Sequence, residues 1–185
     1  MGNSAVISRA NIKIKAVIAV SAIIIAVALP QVFHAIGIVS GTGAAAGAAF
    51  LPMHLPVILA GLIGGPAVGL LAGVLSPLIS FAISGMPTAT LLPFMLLELA
   101  GYGIAAGLLK QSKLPVFAKL LIVQISGRIV RAAAVLTAVY VIGSETAQLA
   151  SIYTMITAGL FGIALQWALI PLIMYRIKGI KKLYD

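Results

Sequence analysis

Three ionisable residues sit inside stretches that are otherwise apolar: Glu98, Arg128 and Arg131. A charge near the centre of a bilayer costs about 2.5–3.5 kcal/mol on the insertion scale, so such residues turn toward protein and pair. Arg128 and Arg131 are three apart and share one helix face. One Glu neutralises one Arg, which leaves a formal charge of +1 unless a ligand or another partner brings an anion. Two readings stand side by side. Either Glu98 and one Arg form a structural pair while the other Arg snorkels or bonds carbonyls, or one Arg receives an anionic or strongly polar ligand.

A second group gathers at the outer ends of the first two apolar segments: His34, with Gln31 about one turn before it, then Met53 and His54. Two His could ligate a metal, but neither Cys nor a carboxylate accompanies them, so no metal is assigned and a hydrogen-bonding role in an outward-facing pocket or its lid is preferred. Tyr102, Gln124, Tyr140, Tyr153, Gln166 and Trp167 add polar or aromatic groups in or near the spans. Tyr102 joins His34, His54, Glu98, Arg128 and Arg131 as a candidate substrate-binding residue, while Tyr140 and Tyr153 fit an aromatic belt equally well.

Catalysis is not expected, and no cofactor is assigned. The chain has no G-x-x-x-x-G-K-[ST] phosphate loop. Ser40 and Ser84 precede Gly, but neither lies in a G-x-S-x-G elbow. With three acids in the whole chain, Asp185 being terminal, neither a two-carboxylate hydrolase nor a carboxylate-bound metal centre can be assembled in the membrane.

The elements that must hold these residues follow from composition. Of 185 residues, 62% are hydrophobic and 8% charged, more apolar surface than a soluble core of this size can bury. The chain reads as an integral membrane protein. Gly, Pro and charge punctuate it into helices near 14–36, 48–64, 67–84, 91–109, 119–143 and 151–175. The formal charge of +9 forms no nucleic-acid patch, because the cations flank apolar segments. Arg9, Lys13 and Lys15 precede the first, Lys110, Lys113 and Lys119 bracket one loop, and Arg176, Lys178, Lys181 and Lys182 follow the last. Under the positive-inside rule these flanks are cytoplasmic. The expectation is an all-α bundle of six transmembrane helices, N- and C-termini cytoplasmic, with residues 1–185 forming one substrate-binding domain and Glu145 in an outer loop. Cysteine is absent, so no disulfide framework is expected. The first apolar run is too long for a signal-peptide core and is read as a retained helix.

The second segment is interrupted by Pro52 and Pro56, and Gly41-Thr42-Gly43-Ala44-Ala45-Ala46-Gly47 before it reads as loop or helix, so a re-entrant or tilted entry is open. Gly61, Gly65, Gly69 and Gly73 recur at intervals of four, as do Gly103 and Gly107. This spacing points to close helix packing in the first place and to a hinge in the second. Ala22 and Ala26 form another small-x-x-x-small step on the first helix.

The stretches Leu29-Pro30-Gln31-Val32-Phe33-His34, Phe50-Leu51-Pro52-Met53-His54-Leu55-Pro56-Val57, Gly64-Gly65-Pro66, Ser84-Gly85-Met86-Pro87 and Glu98-Leu99-Ala100-Gly101-Tyr102-Gly103 resemble the substrate-specificity components of energy-coupling-factor vitamin transporters. The resemblance covers residues 14 to 109, and the rest in topology. It implies a multi-pass protein of the prokaryotic plasma membrane that captures a vitamin or vitamin precursor on the outer side. It also implies a transmembrane coupling protein and two cytoplasmic ATPases as partners, and no nucleic acid. Carried onto this chain, it directs attention to His54 and the 37–53 loop, the 85–90 loop, Glu98, Arg128, Arg131 and the 144–150 loop. It also places Ala22 and Ala26 against the coupling protein. The surplus Arg leans toward a carboxylate or phosphate ligand, pantothenate among them. An oligomeric channel or secondary transporter, or a membrane assembly protein without a ligand, are the other classes the residues allow.

Overall fold

The computed structural model describes residues 2–43, 45–144 and 149–184, and among them every regular element is helical. Helix α1 (Gly2–Val39) is 38 residues long, roughly 57 Å at 1.5 Å per residue and so longer than the hydrocarbon core it crosses. It is followed by α2 (Ala45–Phe50), α3 (His54–Gly64), α4 (Pro66–Ser84), α5 (Leu92–Leu108), α6 (Val116–Tyr140), α7 (Ala150–Ala158) and α8 (Leu160–Tyr184). Five stretches are long and apolar enough to span a membrane: Ile12–Val39, Gly47–Gly64, Pro66–Ser84, Val116–Tyr140 and Leu160–Ile177. The shorter Leu92–Leu108 completes the set. The chain is a helical membrane bundle.

Two of the expected segments are broken. The second is split into α2 and α3 around Leu51-Pro52-Met53, where Leu51 takes a left-handed backbone at φ 46°, a conformation that costs a residue with a Cβ about 1–3 kcal/mol. The last expected helix is split into α7 and α8 at Gly159. The two breaks meet. A Cβ on Gly159 would press on the Leu51 side chain, and one on Gly162 would press on the Phe50 carbonyl. Glycine at both positions lets the start of α8 nest against the unwound stretch of the second crossing. The expected loop at 144–150 and Glu145 lie largely outside the described residues.

The core is built from α1, α3, α4 and α5, with α6 packed on α5 and α8 against α2 and α6. Small residues set this arrangement, because in lipid no hydrophobic force drives helices together and close backbone approach must do so. A Cβ on Gly69 would overlap the Gly103 carbonyl, one on Gly103 would overlap Gly69, and one on Gly107 would overlap Pro66. The glycine interval therefore serves packing at 69 and 103. Gly65 serves the chain reversal instead, making the turn between α3 and α4 at φ 98°.

Ala22 and Ala26 are buried within the chain, 8% and 0% exposed. They lie on the helix that packs against α3 and α4. A small-residue step lets a neighbouring helix approach closely, and within this chain those neighbours are α3 and α4. The surface of α1 is lined instead by Val17, Val20, Ile24 and Ile25, as a lipid-facing surface requires.

Candidate functional site

Glu98 and Tyr102 are one turn apart on α5, so they share a face, and the Tyr102 hydroxyl donates to Glu98 Oε1 at 3.2 Å. A Cβ on Gly127 of α6 would collide with the Tyr102 ring. Glycine at 127 thus makes the space in which the ring stands. Helix α6 opens after Pro115, whose extended backbone precedes the first turn, and brings Arg128 and Arg131 opposite Glu98. Arg128 Nη1 lies 2.9 Å from Glu98 Oε1 and Arg131 Nη1 lies 2.8 Å from Oε2. One carboxylate thus bridges both guanidinium groups. His54, at the first turn of α3, sets Nε2 3.9 Å from Glu98 Oε1 and its ring edge-on to Tyr102.

The sequence suggests one paired Arg and one left over; the structure gives both Arg the same partner. The charge sum is unchanged at +1, since Glu98 contributes −1 and Arg128 and Arg131 +1 each. The side chain of Glu98 is 2% exposed, that of Arg131 4% and that of Arg128 16%. Several polar atoms remain unused: Arg131 Nε and Nη2 and both nitrogens of His54 are buried without a hydrogen-bond partner. Buried polar groups left in this state cost about 1–3 kcal/mol each, and more when charged.

Two cavities open on this cluster. The larger, about 200 Å³, reaches from His34, Gly47 and Ser80 to Glu98, Arg128 and Arg131. The smaller, about 140 Å³, lies between α3, α5, α6 and α8 and includes Tyr102, Gln124 and Gln166. Leu51, His54 and Arg128 border both, so the strained Leu51 and the two polar side chains form the partition. At the smaller cavity Gln124 Nε2 donates to Gln166 Oε1 at 3.1 Å, and Gln124 Oε1 accepts from Trp167 Nε1, which stands outside the lining, at 2.8 Å.

Of the six candidate substrate-binding residues, five converge: His54, Glu98, Tyr102, Arg128 and Arg131. His34 stands apart on α1, beside Gly47, at the other end of the larger cavity. Gln31 does not approach His34 in a hydrogen bond; its amide donates to Ser80 Oγ and Ser84 Oγ on α4. Sequence reasoning named part of the cavity wall, Met53 and the 85–90 loop that holds Met86, and missed Met95 and Met155. Met53, Met86, Met95 and Met155, four of the chain's six methionines, line the larger cavity. They come from four separate segments with no common spacing, so for Met95 and Met155 the only available signal was the methionines' fraction of the total. Among the described residues no group of three potential metal ligands occurs.

The fold thus defines a class: an integral membrane bundle with an ionised cluster in its interior and room for a small molecule beside it. Over residues 11–175 the chain matches the family described as ECF transporter, substrate-specific component, and it belongs to that family. This is a family of substrate-binding membrane subunits of transporters, not of enzymes. The chain matches no curated protein and no solved structure.

Proposed function

We propose that residues 1–185 act as one substrate-binding domain that captures a vitamin or vitamin precursor carrying an anionic group at the outer face of the membrane. A transmembrane coupling protein and two cytoplasmic ATPases then drive uptake. The observation that carries this reading is the uncompensated positive charge of Glu98, Arg128 and Arg131 at the larger cavity, with Arg131 nearly inaccessible to solvent yet short of partners. A cluster built for stability alone would be neutral, because a buried charge without a counter-charge is costly. A ligand anion completes it. The ligand contacts proposed are His54, Glu98, Tyr102, Arg128 and Arg131, with His34 at the far end of the cavity.

The sequence contains no G-x-x-x-x-G-K-[ST] phosphate loop, which supports a reading in which partner subunits supply the energy. The coupling surface proposed includes Ala22 and Ala26 on α1, whose small side chains let another helix approach closely. Reconstitution tests the reading: vesicles holding this chain with a coupling protein and its ATPases accumulate substrate only with ATP. Uptake of the same substrate by this chain alone, against a gradient, would instead make it a secondary transporter.

A further inference from the structure

The two guanidinium groups of the cluster are not equivalent. Arg131 Nη1 donates to Glu98 Oε2 at 2.8 Å, and its Nε and Nη2 are enclosed without a partner. Arg128 Nη1 meets Glu98 Oε1 at 2.9 Å as an ion pair, and that oxygen already accepts from the Tyr102 hydroxyl at 3.2 Å. Among the described residues none accepts a hydrogen bond from Arg128 Nε or Nη2, yet these two atoms do not belong to the enclosed set. The Arg128 side chain is 16% exposed against 4% for Arg131. A guanidinium carries five N–H bonds in one plane, and those of Arg128 are the ones an incoming molecule can reach.

Position separates the pair again. Arg131 borders the larger cavity alone, whereas Arg128 borders both, beside Leu51 and His54 in the wall between them. An anion that arrives from either side meets Arg128. The charges then divide the work. Arg131 holds one oxygen of Glu98 in place and adds the charge that leaves the cluster at +1; Arg128 is the part of that charge open to contact.

Resting on the reading of this chain as a substrate-binding subunit, we infer that Arg128 is the residue that anchors the ligand's acid group, with Arg131 as the residue that positions Glu98 and supplies the surplus charge. Of the five contacts proposed above, one thus sets the specificity for an anion. The ligand's chemistry follows from the same arrangement. A monoanion brings the desolvated cluster to neutrality. With the acid group at the wall between the cavities, the rest of the molecule lies along the larger one, past Met53, Met86, Met95 and Met155, whose thioethers suit an uncharged body of adaptable shape. The class is an amphipathic acid with its charge at one end.

Arginine footprinting on the purified full chain tests the assignment without knowledge of the ligand. The probe is 2,3-butanedione, a small uncharged reagent selective for arginine, with modification read by peptide mass spectrometry after retained molecules have been dialysed away. Arg128 is expected to react at least about tenfold faster than Arg131 in the folded protein, and the two at equal rates once the chain is unfolded. The second measurement is native mass spectrometry of the anion retained by two variants that keep the charge, Arg128→Lys and Arg131→Lys. Lysine cannot reproduce the planar donor set of arginine, so retention is expected to fall about tenfold further in Arg128→Lys than in Arg131→Lys. Arg131 reacting as fast as Arg128 in the folded chain, or retention that falls no further in Arg128→Lys, overturns the inference. The footprint uses the wild-type chain and so decides even where a variant does not fold. A wild-type chain that retains no anion, with the difference in reactivity intact, overturns instead the substrate-binding reading on which the inference rests.

Discussion

Glu98 is the residue on which the interior charges balance, and its loss and that of Arg131 have opposite consequences. With Glu98→Gln, two buried guanidinium groups lose their counter-charge, which costs about 3–5 kcal/mol when a buried pair is broken. With Arg131→Ala, Glu98 keeps Arg128 at 2.9 Å and Tyr102 at 3.2 Å, so the cluster becomes neutral. Thermal unfolding in detergent is therefore expected to show a large fall for Glu98→Gln and a small change for Arg131→Ala. Equal losses would mean that the two Arg are not competing for one carboxylate. The charges were legible in the sequence because each stands out against an apolar background, and their spacing put both Arg on one face. That both Arg would reach the same carboxylate was not legible, since it depends on how far α6 is rotated about its axis against α5. The methionine wall was legible only at Met53 and in the loop that holds Met86, for a related reason: its members share no helix.

At the scale of the elements, the close approach of α4 and α5 rests on Gly69 and Gly103. Gly103→Ala places a methyl group against the Gly69 carbonyl, and such overpacking costs about 1–3 kcal/mol. Gly101→Ala, two residues away on the same helix, meets Val130 Cγ2 at 3.0 Å and Cβ at 3.3 Å with Gly127 Cα at 3.5 Å, looser contacts than those at Gly103, and the ordinary gain of about 1 kcal/mol from removing a helical Gly offsets them. The melting temperature is expected to fall clearly for Gly103→Ala and little for Gly101→Ala; a reversal would relocate the packing face. Hydropathy sufficed to find six apolar segments, because the length of a membrane crossing is fixed by the bilayer. It did not find the breaks at Leu51 and Gly159. Pro52 marked a disturbance, but the two breaks stabilise one another across the bundle, and nothing local in Gly159 distinguishes it from the glycines that merely pack. Ala22 and Ala26 show the same limit: small spacing identifies a face of close contact without saying which helix fills it.

At the scale of the whole molecule, the positive-inside rule predicts an orientation from the cations at the segment ends. A Cys introduced at Ser112 is expected to react with a membrane-impermeant thiol reagent from the cytoplasmic side alone, and one at Ser144 from the outside alone. Reaction of both from one side would contradict an odd number of crossings between them. The central claim concerns what the interior charge is for, and the most direct test is the quantity of small molecule that stays with the purified protein. Native mass spectrometry of the wild-type chain is expected to show one bound small anion per protein, absent from Arg131→Ala although that variant remains folded, because the charge that retained the anion is gone. A folded Arg131→Ala that retains the same molecule in the same amount would contradict the account and reduce Arg131 to a structural partner of Glu98.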